Sequence, residues 1–233
     1  MKRVLSTLKE KWPEYLLEML VLFIGIYCAF AVENWNENRL EKQHEERVIT
    51  ALHNEFDENL KDLREVIVRL DSQRQFQVKL LEAFSNSSNL SEYKLDKLIN
   101  KSFGYITWNP SSYVLNDLKN SGQISKLSDH NLQLLLFAWE RYYENLLETQ
   151  ITTYNSTENF LEYIRKKGSL RNMDYVGDSS LSKTKFGFSN LKLLEQLEFE
   201  NIVDDKLATA NSLYRDYNKT IPEIEKILEA TKP

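Results

Sequence analysis

Glycine and proline are scarce, six and four in 233 residues. A strand-and-turn fold needs many more of these residues at its turns, and the dominance of Leu, Glu, Lys, Asn and Ser favours long helices. The single cysteine, Cys28, excludes an intramolecular disulfide and a cysteine-based zinc site. The three histidines lack metal-ligand spacing. "HEERV" from His44 has no second histidine, and Glu41 with His44 makes one E-x-x-H where a di-iron bundle needs two and further glutamates. His53 and His130 match no pattern. A formal charge of −5 with no basic stripe argues against nucleic acid as a partner. G-x-S-x-G, G-x-x-x-x-G-K and G-x-G-x-x-G are all missing, and glycines 25, 104, 122, 168, 177 and 187 are too scattered to cradle a phosphate. The expectation is therefore a protein with no enzymatic activity, cofactor or metal.

Charge is also missing from one long run. "YLLEMLVLFIGIYCAFAV", Tyr15 to Val32, is interrupted only by Glu18. As a helix it would span about 27 Å, close to the roughly 30 Å hydrocarbon core of a bilayer. Trp12 and Trp35 bracket it about 35 Å apart, a separation suited to two headgroup regions. Ala29-Phe30-Ala31 has the form of a signal cleavage site. The region before it is too long and carries Glu10, Glu14 and Glu18, where a signal has a short basic segment. A retained anchor is thus expected: residues 1–14 as a short cytoplasmic tail, 15–34 as the membrane helix, and 35–233 as an extracytoplasmic helical domain. The slight excess of positive charge before the span places that tail inside and the bulk of the chain in the periplasm of a bacterial inner membrane. A carboxylate in hydrocarbon costs about 2.5–3.5 kcal/mol on insertion scales, so Glu18 is either relieved near the boundary or marks a helix contact. Gly25 and Ala29 form a small-xxx-small pair that lets a second helix approach.

Beyond Trp35, Val48, Leu52, Phe56, Leu60, Leu63, Ile67 and Leu70 recur at steps of three and four and define one helix face. No Gly or Pro lies between Gly25 and Gly104, so the membrane helix is expected to continue to about Phe84, where "SNSSNLSEY" breaks it. Ser91 caps a short helix ending near Phe103. In "WNPSSYVLNDLKNSG", Asn109 is the expected cap, Pro110 the first helical residue and Gly122 the stop. Ser128 is expected to cap a helix that carries Leu132, Leu135, Leu136, Trp139, Tyr142, Tyr143, Leu146 and Leu147 and stops at Gly168. Residues 168–189 hold three of the six glycines and read as a long mobile loop. A short helix near 190–197 and a long one over 199–230, kinked or restarted by Pro222, complete the chain. Tyr142, Tyr143, Tyr154, Tyr163, Tyr214 and Tyr217 fall on helices that must pack together, giving an aromatic core or a protein-binding surface. The fold class is all-α, a membrane helix continuing into a helical bundle.

Two blocks carry a resemblance. "YLLEMLVLFIGIYCAFAVENWNENR" has an early carboxylate, Glu18, and an N-W-N-E collar, Asn34 to Glu37. "WNPSSYVLNDLKNSGQISKLSDHNLQLLLFAWERYYE" has an aromatic before Asn-Pro, then Leu-Lys-x-Ser-Gly from Leu118 to Gly122, then Tyr-Tyr-Glu from Tyr142 to Glu144. In this order they resemble the domain of unknown function 6090 family of single-pass bacterial membrane proteins. The resemblance implies the architecture and no catalytic residue. The expected work is structural, a scaffold or a subunit of a membrane complex or homo-oligomer, with the lipid bilayer and a second membrane protein or copy as partners. Glu18, Gly25, Ala29, Asn34, Trp35, Asn38 and Arg39 are the candidate contacts, and Trp12 and Trp35 the interfacial anchors. On a helix Asn34 and Asn38 share one face, and Trp35 and Arg39 another. The alternative expectation is a sensor that binds a small ligand under the 168–189 loop and signals through a membrane partner.

Overall fold

The computed structural model describes residues 2–86, 90–178 and 180–232, with side chains from Trp12 onward. It is all-helical. α1 is Lys2–Ser85, α2 Glu92–Ser102, α3 Tyr113–Asn120, α4 His130–Lys167, α5 Leu170–Gly177 and α6 Leu197–Ala230, with 3₁₀ turns at Gln123–Lys126 and Asn190–Glu195. The chain divides into two units, Met1–Thr50 and Ala51–Pro233. Within the first, α1 is long and apolar enough to cross a membrane. Pro13 is accommodated inside this helix.

The second unit is a bundle of the rest of α1 with α4 and α6. α1 and α6 are antiparallel, as three contacts show: His53 Nδ1 to Thr231 Oγ1 at 3.0 Å, Arg64 Nη2 to Glu225 Oε1 at 3.2 Å, and Arg74 Nε to Asn211 Oδ1 at 2.7 Å. α4 and α6 are also antiparallel, with Tyr142 beside Thr220, Thr149 beside Asp216 and Ser156 beside Asp205. Leu52, Phe56, Leu60, Leu63 and Leu70 turn the expected face of α1 into this core, whereas Val48 is only half-buried and the inward residue near Ile67 is Val66. One end of the bundle is closed by an apolar cluster of Leu80, Leu95, Ile99, Phe160, Ile164, Met173, Phe199 and Val203. Area burial of this kind, at about 25 cal/mol per Å², is what holds such a bundle together.

Several helix ends fall where local chemistry puts them. Ser91 Oγ accepts from Lys94 N and caps α2, which ends before Phe103, and α4 stops at Gly168. Residues 87–89, the centre of the expected break after α1, lie outside the described residues.

Four expectations are corrected. Asn109 and Pro110 do not start a helix, because residues 103–112 carry no regular secondary structure and α3 begins at Tyr113. The cap of α4 is Asp129 rather than Ser128, its carboxylate accepting from Asn131 N and Leu132 N. Residues 168–189 are not one loop, since Ser169 Oγ accepts from Asn172 N and caps α5, Leu170–Gly177, within which Met173 is buried. Pro222 does not restart α6. It lies on an exposed face and the helix runs through it.

Candidate functional site

In the first unit, every described side chain from Trp12 to His44 is exposed. At 100° per residue, the seven- and four-residue steps from Glu18 to Gly25 to Ala29 bring all three to one helix face. The only carboxylate of the Tyr15–Val32 run thus shares a face with two of its smallest residues. A Cβ added at Gly25 meets nothing within 4 Å, so that face is open to a neighbour. Just beyond, Asn38 Nδ2 donates to Asn34 Oδ1 at 3.3 Å, and the Arg39 guanidinium lies 5.5 Å from the Trp35 ring centroid. Both pairs are four residues apart, which fixes the collar's side chains along the helix. Trp12 and Trp35 are both exposed.

The central block has a different role. Residues 103–112 form an irregular strap in which Trp108 is buried and the other residues are half-buried or exposed, and several of its backbone polar groups are answered by side chains. Gln77 Nε2 donates to Ser102 O, at the foot of the strap, and Gln73 Nε2 to Gly104 O. Trp108 N donates to Tyr217 Oη at 3.0 Å, and Gln150 Nε2 donates to Trp108 O. Asn59 holds Ser111 on both sides, donating to its carbonyl and accepting from its N–H at 2.7 Å each. At buried Trp108, backbone groups without such partners would be costly.

Glu55, 7 % exposed, accepts from Ser111 Oγ, Val114 N and Leu115 N at 3.1, 2.8 and 3.3 Å. Val114 and Leu115 are in the first turn of α3, where N–H groups have no helical partner. The cap of α3 is thus a carboxylate from α1, on the side favoured by the helix dipole, and Ser112 makes no side-chain cap bond. Downstream, Leu118 is buried and Gly122 adopts φ +70, which admits the tight turn into Gln123–Lys126.

The aromatic residues of the block converge. Trp108, 1 % exposed, meets Tyr143, Trp139 and Tyr217 edge-on at centroid separations of 6.0, 6.3 and 6.4 Å. Trp139 stacks on Tyr142 and Tyr143. Burial pushes the phenols of Tyr217, Tyr142 and Tyr143 up, so they stay neutral at ordinary pH. Tyr163 is buried too, stacked on Phe199. Tyr154 and Tyr105 instead stack on the surface, where a hydrogen bond to Glu158 pushes the Tyr105 phenol up to about 12. Tyr214 lies under the Arg74 guanidinium at 4.1 Å. Replacing Tyr217 with phenylalanine leaves Trp108 N–H buried without an acceptor, and a loss of about 1–2 kcal/mol is expected in denaturant unfolding.

The histidines do not come together. His53 meets Thr231, His130 Nδ1 lies 3.3 Å from Gln133 Oε1, and His44 is on the surface. Sequence reasoning missed Lys206. It is 1 % exposed, and Nζ donates to Thr157 Oγ1 at 2.7 Å. It falls on the inward face of α6 with Val203, Ala210 and Leu213, a periodicity that was available in the sequence and marks the position as core.

Compared with protein-family models, curated proteins and solved structures, the chain matches none of them.

Proposed function

We propose that the chain is a single-pass protein of a bacterial inner membrane whose work is structural, holding copies of itself or another membrane protein together, with the helical domain on the periplasmic side. The observation that carries this reading is the shared face of Glu18, Gly25 and Ala29. In lipid no hydrophobic force draws helices together, so close approach over small residues and a polar contact supply the attraction. A carboxylate on that face is relieved by a partner helix and exposed to hydrocarbon without one. At 100° per residue the Asn34–Asn38 pair falls on the opposite face of the helix and Trp35–Arg39 on its flank, so this collar offers a contact separate from the Glu18 face. The resemblance of both sequence blocks to the domain of unknown function 6090 family supports the same architecture.

The test is the mass of the full chain purified in mild detergent, with identification of proteins that come with it. A defined oligomer or a stoichiometric partner is expected. Gly25→Leu puts a bulky side chain on the contact face and is expected to weaken the association about tenfold or more. A strictly monomeric, partner-free particle, or an oligomer indifferent to Gly25→Leu, overturns the reading.

A further inference from the structure

The segment after α5 ends in an exposed tip built on a fixed base. Asn172 is buried, its Oδ1 accepting from Thr184 N at 3.1 Å and its Nδ2 donating to Phe188 O at 2.9 Å. One side-chain amide thus closes the five residues Thr184 to Phe188. Asn190 secures the following turn, accepting from Ser169 N and donating to Ser169 O and to the buried Asp96 carboxyl. Gly187 at φ +61 turns the chain at the tip, where a side-chain-bearing residue would be strained. At that tip Phe186 is 80 % exposed and Phe188 37 %.

The local charge is opposite to that of the chain. Residues 180–194 contain Lys183, Lys185 and Lys192 and no acidic residue, in a protein of net charge −5. All three lysines are exposed. Lys185 Nζ lies 5.4 Å from the Phe186 ring centroid, and Lys183 Nζ lies 5.7 Å from that of Tyr175 and 3.9 Å from Glu92. A pre-ordered tip with a solvent-facing ring next to a lysine loses little entropy on binding.

We propose that the tip Thr184–Phe188 docks onto an anionic phospholipid surface, with Phe186 entering the interfacial zone and Lys183 and Lys185 meeting the phosphates. Aromatic rings partition to that zone, and each nearby lysine adds about 1 kcal/mol at an anionic surface. A protein partner would instead need a pocket for Phe186 and carboxylates placed at the lysine spacing, whereas a bilayer accepts an exposed tip as it is. This docking is independent of the pairing of membrane helices.

The full chain is placed in nanodiscs of neutral phosphatidylcholine, so that its own span is occupied, and mixed with sedimentable vesicles. Binding to phosphatidylglycerol vesicles, weakened by salt and not seen with phosphatidylcholine alone, is the expected result. Lys183→Gln with Lys185→Gln should lower vesicle affinity about thirtyfold, and Phe186→Ser about tenfold. These side chains are exposed, so an unchanged unfolding midpoint shows that the variants fold. Equal affinity for neutral and anionic vesicles, no affinity for either, or unchanged binding by the variants overturns the proposal. Loop-dependent binding of polyglutamate in place of vesicles overturns it in favour of an acidic protein.

Discussion

Replacing Glu55 with alanine is expected to destabilise the helical domain by about 4 kcal/mol. Glu55 accepts from two backbone N–H groups and one hydroxyl while itself nearly buried. Removing it leaves orphaned donors at the start of α3 and a gap between α1 and the strap, and each buried unsatisfied group costs about 1–3 kcal/mol. Glu55→Gln keeps an acceptor oxygen and should lose about half as much. Tryptophan fluorescence during denaturant unfolding reports the change, because Trp108 and Trp139 lie in the adjoining core. A loss below about 1 kcal/mol for the alanine variant would mean that water replaces the carboxylate at no cost and that the clasp contributes little to stability.

Lys206→Met is expected to act in the opposite direction, stabilising the domain by about 3 kcal/mol at neutral pH. Burial lowers the pKa of the amine from 10.5 to about 8, and the charge of Asp205 opposes this only partly. Asp205 is also held by Ser156 at 2.7 Å. A tenfold change in an acid dissociation constant corresponds to about 1.4 kcal/mol. Between about pH 8 and 10.5 the unfolded chain binds a proton that the folded chain does not, so wild-type stability rises with pH across that window. Below about pH 8 both states carry the charge and the penalty is complete. The gap between wild type and Lys206→Met should therefore be widest at about pH 7 and close by about pH 10.5, as read from paired unfolding curves. Methionine fits because it has similar length and no charge to desolvate. A gap that does not change with pH would show that the ammonium is hydrated in the folded protein.

Helix ends and buried polar residues illustrate what the sequence disclosed. Ser91 and Gly168 were legible because a cap depends on its own neighbours: Ser91 bonds three residues ahead and Gly168 bonds back to Ile164. The start of α3 was not legible from "WNPSS". There the cap comes from Glu55, more than fifty residues upstream, and tertiary contact overrode local propensity. The same holds for residues 168–189, whose glycines suggest a loop while buried Asn172, Asn190 and Met173 organise the segment through distant partners. The periodicity of α1 was legible, and so was the Asn34–Asn38 and Trp35–Arg39 register, because a helix places residues four apart whatever surrounds it. Which of the tyrosines would be core and which surface was not.

The strap around buried Trp108 bears on how this protein is made. Its backbone is completed by Asn59 and Gln73, which leave the ribosome before it, but also by Gln150 and Tyr217, which leave long after. A nascent chain that ends before α6 cannot close the acceptor on Trp108 N–H. Contacts of such sequence separation form slowly. The helical domain is therefore expected to become resistant to protease only after α6 has emerged.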